Sequence, residues 1–281
     1  MRKVKYLFFI AGLALSFHCI AWNALGHRVA ANIAYERLQP NVRAKVDKMV
    51  IDLSKEYPDV TQFTQIAPWP DTLRAQKIDT FTHWHYINIA FSADATPLQD
   101  LIDDDNAVWA ISKMEPVIKN SAANAYERAR FLAFLVHVVA DLHQPLHTVA
   151  RISARHPEGD HGGNLYFVHS PTSTTQTVTL HKLWDDGLDI FSSEPSQKNV
   201  VSLSKLVTSL YPESYFGAKV NDLSPEDWAN EGVKLAETFV YTTPEDQLPS
   251  SDYMTKGKEI AEQRVALAGY RLANLLNQLL G

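Results

Sequence analysis

Residues 123–142 constrain this chain more than any other stretch. From Phe131 onward the run is apolar at nearly every position, through Leu132, Phe134, Leu135, Val136, Val138 and Val139. A helix that is apolar all round has no face to give to water, so the rest of the chain must enclose it. Pro145 is predicted to end it. Two residues break the pattern, His137 and Asp141. Spaced four apart, they lie on one face, one turn from each other. A carboxylate inside an apolar helix needs a strong partner, because an unpaired buried charge costs several kcal/mol. A hydrogen-bonded His–Asp pair meets that need, and so does a metal ion.

The rest of the chain supplies the enclosure; all 281 residues together are 46% apolar and 21% charged. These proportions fit an ordinary globular protein. One compact, mainly α domain is expected over residues 22–281. Asn23 can cap a first helix over roughly 24–38, and Pro40 opens a second. Residues 58–74, with Pro68 and Pro70, read as a loop. Residues 165–168 and 177–180, separated by a Ser/Thr-rich turn, read as a small β-hairpin. Helical patterns return near residues 181–190, 198–210, 225–241 and 251–280.

The first 21 residues stand apart from that domain. Arg2, Lys3 and Lys5 precede an apolar stretch over residues 6–17, and Cys19 and Ala21 are small residues before Trp22. Basic head, apolar middle and small-residue exit are the pattern of a secretory signal. The apolar stretch falls short of the ~20 residues of a membrane span, so export without stable membrane association is expected. Cleavage before Trp22 would remove Cys19, the only cysteine, and leave no disulfide. It would also remove three cations and no anion, moving the net charge from -6 to -9. Such a chain lacks the overall basic character of a duplex-binding protein, unless bound cations supply positive charge locally.

The His–Asp spacing recurs at His181 and Asp185. His147 follows Pro145, His83 and His85 flank Trp84, and Asp71 lies in Trp69-Pro70-Asp71. Imidazoles with carboxylates and no thiolate suit zinc, with manganese and iron also compatible with these ligand types.

In order along the chain stand Trp22-Asn23-Ala24-Leu25-Gly26-His27, Trp69-Pro70-Asp71, Trp84-His85-Tyr86-Ile87-Asn88, His137-x-x-x-Asp141-x-His143-Gln144-Pro145-Leu146-His147, Gly162-Gly163-Asn164 and His181-x-x-Trp184-Asp185. Together they resemble the P-one/S-one family of zinc nucleases, which includes secreted fungal single-strand nucleases and plant nuclease I. The resemblance implies the helical fold shared by zinc phospholipase C and these nucleases. It implies three Zn²⁺ ions: one held by Asp71, His85, His137 and Asp141, one by His147, His181 and Asp185, and one by His27, Asp141 and the amino nitrogen and carbonyl oxygen of Trp22. A freed α-amine is a usable ligand where an amide nitrogen is not, so export would complete the site. Three Zn²⁺ carry roughly six positive charges and three aspartates return about three, leaving a cleft of about +3 in an acidic protein.

The resemblance further assigns catalysis to Asp71, Arg74 and Asp141. It assigns substrate contacts to Arg74, Tyr86, Asn88, Gly162 and Asn164. Arg74 would hold the phosphate and Tyr86 would stack on an unpaired base. Asn88 stands where the fungal enzymes often carry aspartate, which implies an altered base preference. The implied activity is cleavage of single-stranded DNA and RNA to 5′-phosphate products, with 3′-nucleotidase activity, by a monomer. His143 and His161 are expected beside the ligands or at the surface. Two alternatives remain. A zinc phospholipase C typically has glutamate where Asp185 stands and a longer gap than that between Trp22 and His27. A non-catalytic exported zinc-binding protein would not need Arg74, Tyr86 and Asn164.

Overall fold

The computed structural model describes residues 22–173 and 175–281. The signal-like segment and Cys19 lie outside them. The described chain is mainly helical. It opens with α1 (Ala24–Tyr35) and α2 (Pro40–Ser54), then two short helices, α3 (Phe63–Ile66) and α4 (Trp69–Ala75). Strand β1 (Ile89–Ser92) leads to α5 (Ala107–Lys119), the enclosed helix α6 (Ala125–Asp141) and strand β2 (Val149–Ile152). The hairpin β3 (Phe167–His169) and β4 (Thr177–Thr179) runs into α7 (Leu180–Asp185). The chain ends with α8 (Gln197–Leu210), α9 (Glu213–Phe216), α10 (Pro225–Thr238) and the long α11 (Ser251–Leu280).

Helix α6 is as enclosed as its sequence requires. Every residue from Leu132 to Asp141 is buried, and α1, α2, α4, α5 and α11 pack around it. Each large apolar side chain taken fully out of water contributes about 1.5–3 kcal/mol. Asn124 caps its start by accepting from the amides of Tyr126 and Glu127. Asn23 caps α1 in the same way, accepting from Leu25 and Gly26.

Two local expectations need correction. Residues 58–74 are not simply loop, since they hold α3 and the start of α4. Pro68 and Pro70 stand at the N-terminal end of α4, where a helix needs no N–H donor. The helix expected over residues 181–190 stops at Asp185, because Gly187, Leu188 and Asp189 take positive φ values.

The small sheets matter for what they hold. β3 and β4 form the expected antiparallel hairpin, with Val168 opposite Val178. β1 and β2 pair in parallel, from Ile89 opposite Val149 to Ser92 opposite Ile152. That second pairing joins the segment after His85 to the segment after His147, reinforced by Ile87 N–H donating to the His147 carbonyl at 2.9 Å.

Candidate metal centre and substrate cleft

Six elements bring the chemistry-bearing side chains together. His27 comes from the first turn of α1, Asp71 from α4, and His85 from a 3₁₀ turn over Thr82–His85. His137 and Asp141 come from α6, and His147 from a 3₁₀ turn over Pro145–His147. His181 and Asp185 come from α7. Their ligand-type atoms form three close groups: His27, His137 and Asp141; Asp71, His85 and His137; and His147, His181 and Asp185.

The Asp141 carboxylate is divided between the first two groups. Its Oδ1 lies 3.3 Å from His27 Nε2, while its Oδ2 lies 3.2 Å from both His85 Nδ1 and His137 Nε2. Asp71 Oδ1 completes the second group at 3.6 Å from His137 Nε2 and 3.8 Å from His85 Nδ1. In the third group, His181 Nε2 stands 3.4 Å from Asp185 Oδ2, and His147 Nε2 stands 3.8 Å from Asp185 Oδ1. Tetrahedral zinc, with bonds of about 2.0–2.2 Å, sets neighbouring ligand atoms roughly 3.3–3.6 Å apart. The separations fall around that edge length.

Proton placement separates metal ligands from a plain hydrogen-bonded cluster. His137 Nδ1 meets the Ala67 carbonyl at 2.7 Å, His147 Nδ1 the His85 carbonyl at 2.7 Å, and His181 Nδ1 the Gly162 carbonyl at 2.6 Å. A carbonyl only accepts, so each Nδ1 carries a proton and each ring turns its Nε2 inward. The Nε2 atoms of His147 and His181 face each other at 3.1 Å. With both rings neutral that approach is repulsive unless a cation lies between them.

Burial makes the same point. His27, His85, His137, His147, Asp141, His181 and Asp185 are all buried. Both nitrogens of His27, both oxygens of Asp141, Asp71 Oδ1 and His85 Nε2 have no hydrogen-bond partner. Desolvation pushes Asp71 and Asp185 up to about 7 and raises Asp141 well above the ordinary carboxylate range. It pushes His147 down to about 3 and lowers His27, His85 and His137 as well. Acids driven up and imidazoles driven down by burial leave the carboxylates short of positive charge, which Arg74 supplies only in part. Divalent cations fit these residues because they supply that charge and take the inward lone pairs.

Trp22 is fully buried beside this centre. Its indole donates to the Ala140 carbonyl at 3.0 Å, one residue from Asp141, and it packs edge-on against Phe191 with centroids 5.3 Å apart. Asn23 N–H donates to the Asp185 carbonyl at 3.0 Å, tying the start of α1 to the end of α7.

A cavity of about 260 Å³ opens at the third group. Arg74, Thr82, Tyr86, Asn88, Leu146, His161, Asn164, Leu165 and His181 line it. Four of the five expected substrate contacts are therefore on one wall or another of a single cleft. The fifth, Gly162, stands behind that wall. Its carbonyl orients His181, and a Cβ there would come 2.2 Å from the Leu146 carbonyl oxygen. His161 lines the cleft at φ +53, and its carbonyl accepts from the Asn164 side chain at 2.8 Å. His143 is not exposed. It is buried, with Nδ1 on the Val139 carbonyl at 2.7 Å and Nε2 facing Arg271 at 3.1 Å.

Sequence reading passed over Thr82, Leu146 and Leu165, and also Gln144, whose side chain donates to Asp185 Oδ1 at 2.7 Å. No spacing rule marks these residues. They are found only once distant segments are brought together.

The chain is a mainly helical scaffold with a clustered His/Asp centre, of the kind that could hold metal ions, beside a polar and aromatic cleft. The family model described as S1/P1 Nuclease matches residues 22–281, and the chain belongs to that family. It is 26% identical to Nuclease S1 of Aspergillus oryzae, covering 95% of this chain and 94% of that protein. It is 26% identical to Endonuclease 2 of Arabidopsis thaliana, over 92% and 91% of the two chains. Nuclease P1 of Penicillium citrinum is 24% identical over 92% of this chain and 98% of its own. The protein is thus a nuclease, acting on nucleic acid.

Proposed function

We propose that this nuclease is a three-zinc enzyme that hydrolyses phosphodiester bonds of single-stranded DNA and RNA, leaving 5′-phosphates, and that it also removes phosphate from 3′-nucleotides. The observation that carries the proposal is the set of partnerless buried carboxylate oxygens and inward imidazole lone pairs next to the cleft that holds Arg74 and Tyr86.

Asp71, His85, His137 and Asp141 would hold one ion, and His147, His181 and Asp185 a second. His27, Asp141 and the Trp22 amine and carbonyl would hold the third. When bound, zinc supplies a nucleophilic water near neutral pH and offsets charge on the leaving oxygen. The protein's own part is positioning. Arg74 donates to the phosphate oxygens and stabilises their charge in the transition state. Tyr86 stacks on a base, worth about 1–3 kcal/mol per base and open only to an unpaired one. Asn88 and Asn164 offer amide donors and acceptors to base edges.

Export completes the reading. The family match begins at Trp22, where the signal-like segment ends, and among the described residues no helix is long and apolar enough to cross a membrane. A monomer is the proposed working unit.

The test is metal analysis of the mature protein, joined to digestion of single- and double-stranded DNA and RNA before and after chelation. Three zinc per chain, single strands cut faster, and activity lost on chelation and restored by zinc are expected. Phosphodiester cleavage by metal-free protein defeats the proposal. Hydrolysis of phosphatidylcholine with no action on nucleic acid would favour the phospholipase alternative, and zinc binding without either activity the non-catalytic one.

A further inference from the structure

Gln144 is fully buried, and neither of its side-chain polar atoms is without a partner. Its Oε1 accepts from the Leu146 backbone N–H at 2.6 Å. A backbone N–H can only donate, so this contact fixes which end of the amide is oxygen. The NH₂ end is thereby aimed at Asp185, where Nε2 donates to Oδ1 at 2.7 Å. Asp185 is left with Oδ2 turned towards His181 Nε2.

The backbone of the same residue reaches the other groups. Gln144 N–H donates to the Asp141 carbonyl at 2.8 Å, and the Gln144 carbonyl accepts from His147 N–H at 3.0 Å. One residue thus touches Asp141, which is shared by the first two groups, and both His147 and Asp185 of the third. The adjoining residue anchors this turn from behind. Arg264 donates to the His143 carbonyl at 3.0 Å, and Arg271 faces His143 Nε2.

We infer that Gln144 is a positioning residue that orients Asp185 and sets the third ligand group in register with the pair sharing Asp141. The inference rests on the three-zinc reading above. Its physical basis is that a ligand carboxylate held by an amide donor presents one oxygen in a fixed direction, and outer hydrogen bonds of this kind are worth about 10–100-fold in metal affinity or activity. An acid at residue 144 would instead set two carboxylates against each other in a buried place.

The test uses the mature full chain, stripped of metal and titrated with zinc against a competing chromophoric chelator. Wild type is compared with Gln144→Glu and with Gln144→Met, which keeps the length and removes the donor without adding charge. Both variants are expected to bind one of three zinc equivalents about 10–100-fold more weakly and the other two as wild type does. Should Gln144→Glu fail to fold, Gln144→Met alone decides. Three equivalents bound at wild-type affinity overturn the inference and leave the three-zinc reading standing. A uniform loss across all equivalents, with a lower Tm of the stripped protein, overturns it in favour of a plain packing role. A wild type that takes up no zinc defeats the three-zinc reading itself, and the inference with it.

Discussion

The molecule sets two polar clusters on either side of the end of α6, and they are solved in opposite ways. Behind the end of α6, Glu231 lies between Arg264 and Arg271. Arg264 meets Glu231 Oε2 at 2.7 Å, and Arg271 reaches the same oxygen at 2.8 Å and Oε1 at 3.0 Å. Arg271 also faces His143 and lies over the Trp228 ring, 5.7 Å from its centroid. This cluster brings its own counter-charges, with Arg264 Nη2 as its one partnerless atom among the described groups. In front, the cluster around Asp141 gathers acids and imidazoles, and the charge of Arg74 that reaches it leaves Asp71 and Asp141 raised. Unequal charge closure is the lesson. The rear cluster is a structural brace, whereas the front one is complete only with cations from outside.

The largest effect that could break this contrast is at Asp141. With zinc saturating, Asp141→Asn is expected to lower the initial rate on single-stranded DNA by at least about 10³-fold, because two ligand groups share that carboxylate. A rate within tenfold of wild type would show that the front cluster does not work as described. At the rear, Glu231→Gln removes the carboxylate shared by two buried guanidinium groups, leaving Asp222 Oδ2 at 3.4 Å from Arg271 as the remaining acid, and is expected to cost about 3 kcal/mol of folding stability. Denaturant unfolding with and without chelator checks this. The loss should be the same in both states, and a loss that vanishes in zinc-free protein would merge the two clusters into one.

The smallest effect is a pH dependence. Burial raises the Glu231 carboxyl, but the Arg271 hydrogen bond and the charge of Arg264 outweigh it and hold the group well below the usual glutamate range. A folded-state pKa depressed in this way contributes stability that is fully present above the unfolded value, about 4.3, and is lost as pH falls below it. The stability gap between wild type and Glu231→Gln should therefore narrow as pH drops from about 5 towards 3. A gap that stays constant removes the ionised Glu231 from the explanation.

Much of the front cluster was legible in the sequence because helical spacing is a local property. His137 with Asp141, and His181 with Asp185, need only the 3.6-residue turn to share a face. The enclosed helix was legible too, since a run without a polar face can lie nowhere else. The segment over residues 58–74 was misread because Pro68 and Pro70 break a helix interior but suit a helix start, and sequence alone did not say which applied. The rear cluster was out of reach. Glu231, Arg264 and Arg271 look like surface charges on amphipathic helices until α10 packs against the Pro145–His147 turn and α11 against α6.

By itself the sequence put His137 with Asp141 and His181 with Asp185 on shared helical faces and marked the helix that must be enclosed, while the rest of the ligand set was only implied by resemblance. Tertiary structure decided the rest. It paired β1 with β2, carried the Gly162 carbonyl to His181, and turned the Gln144 amide towards Asp185. These contacts join segments distant along the chain or fix the rotamer of a buried amide. No local periodicity encodes them, because their geometry exists only after the intervening chain has closed around α6.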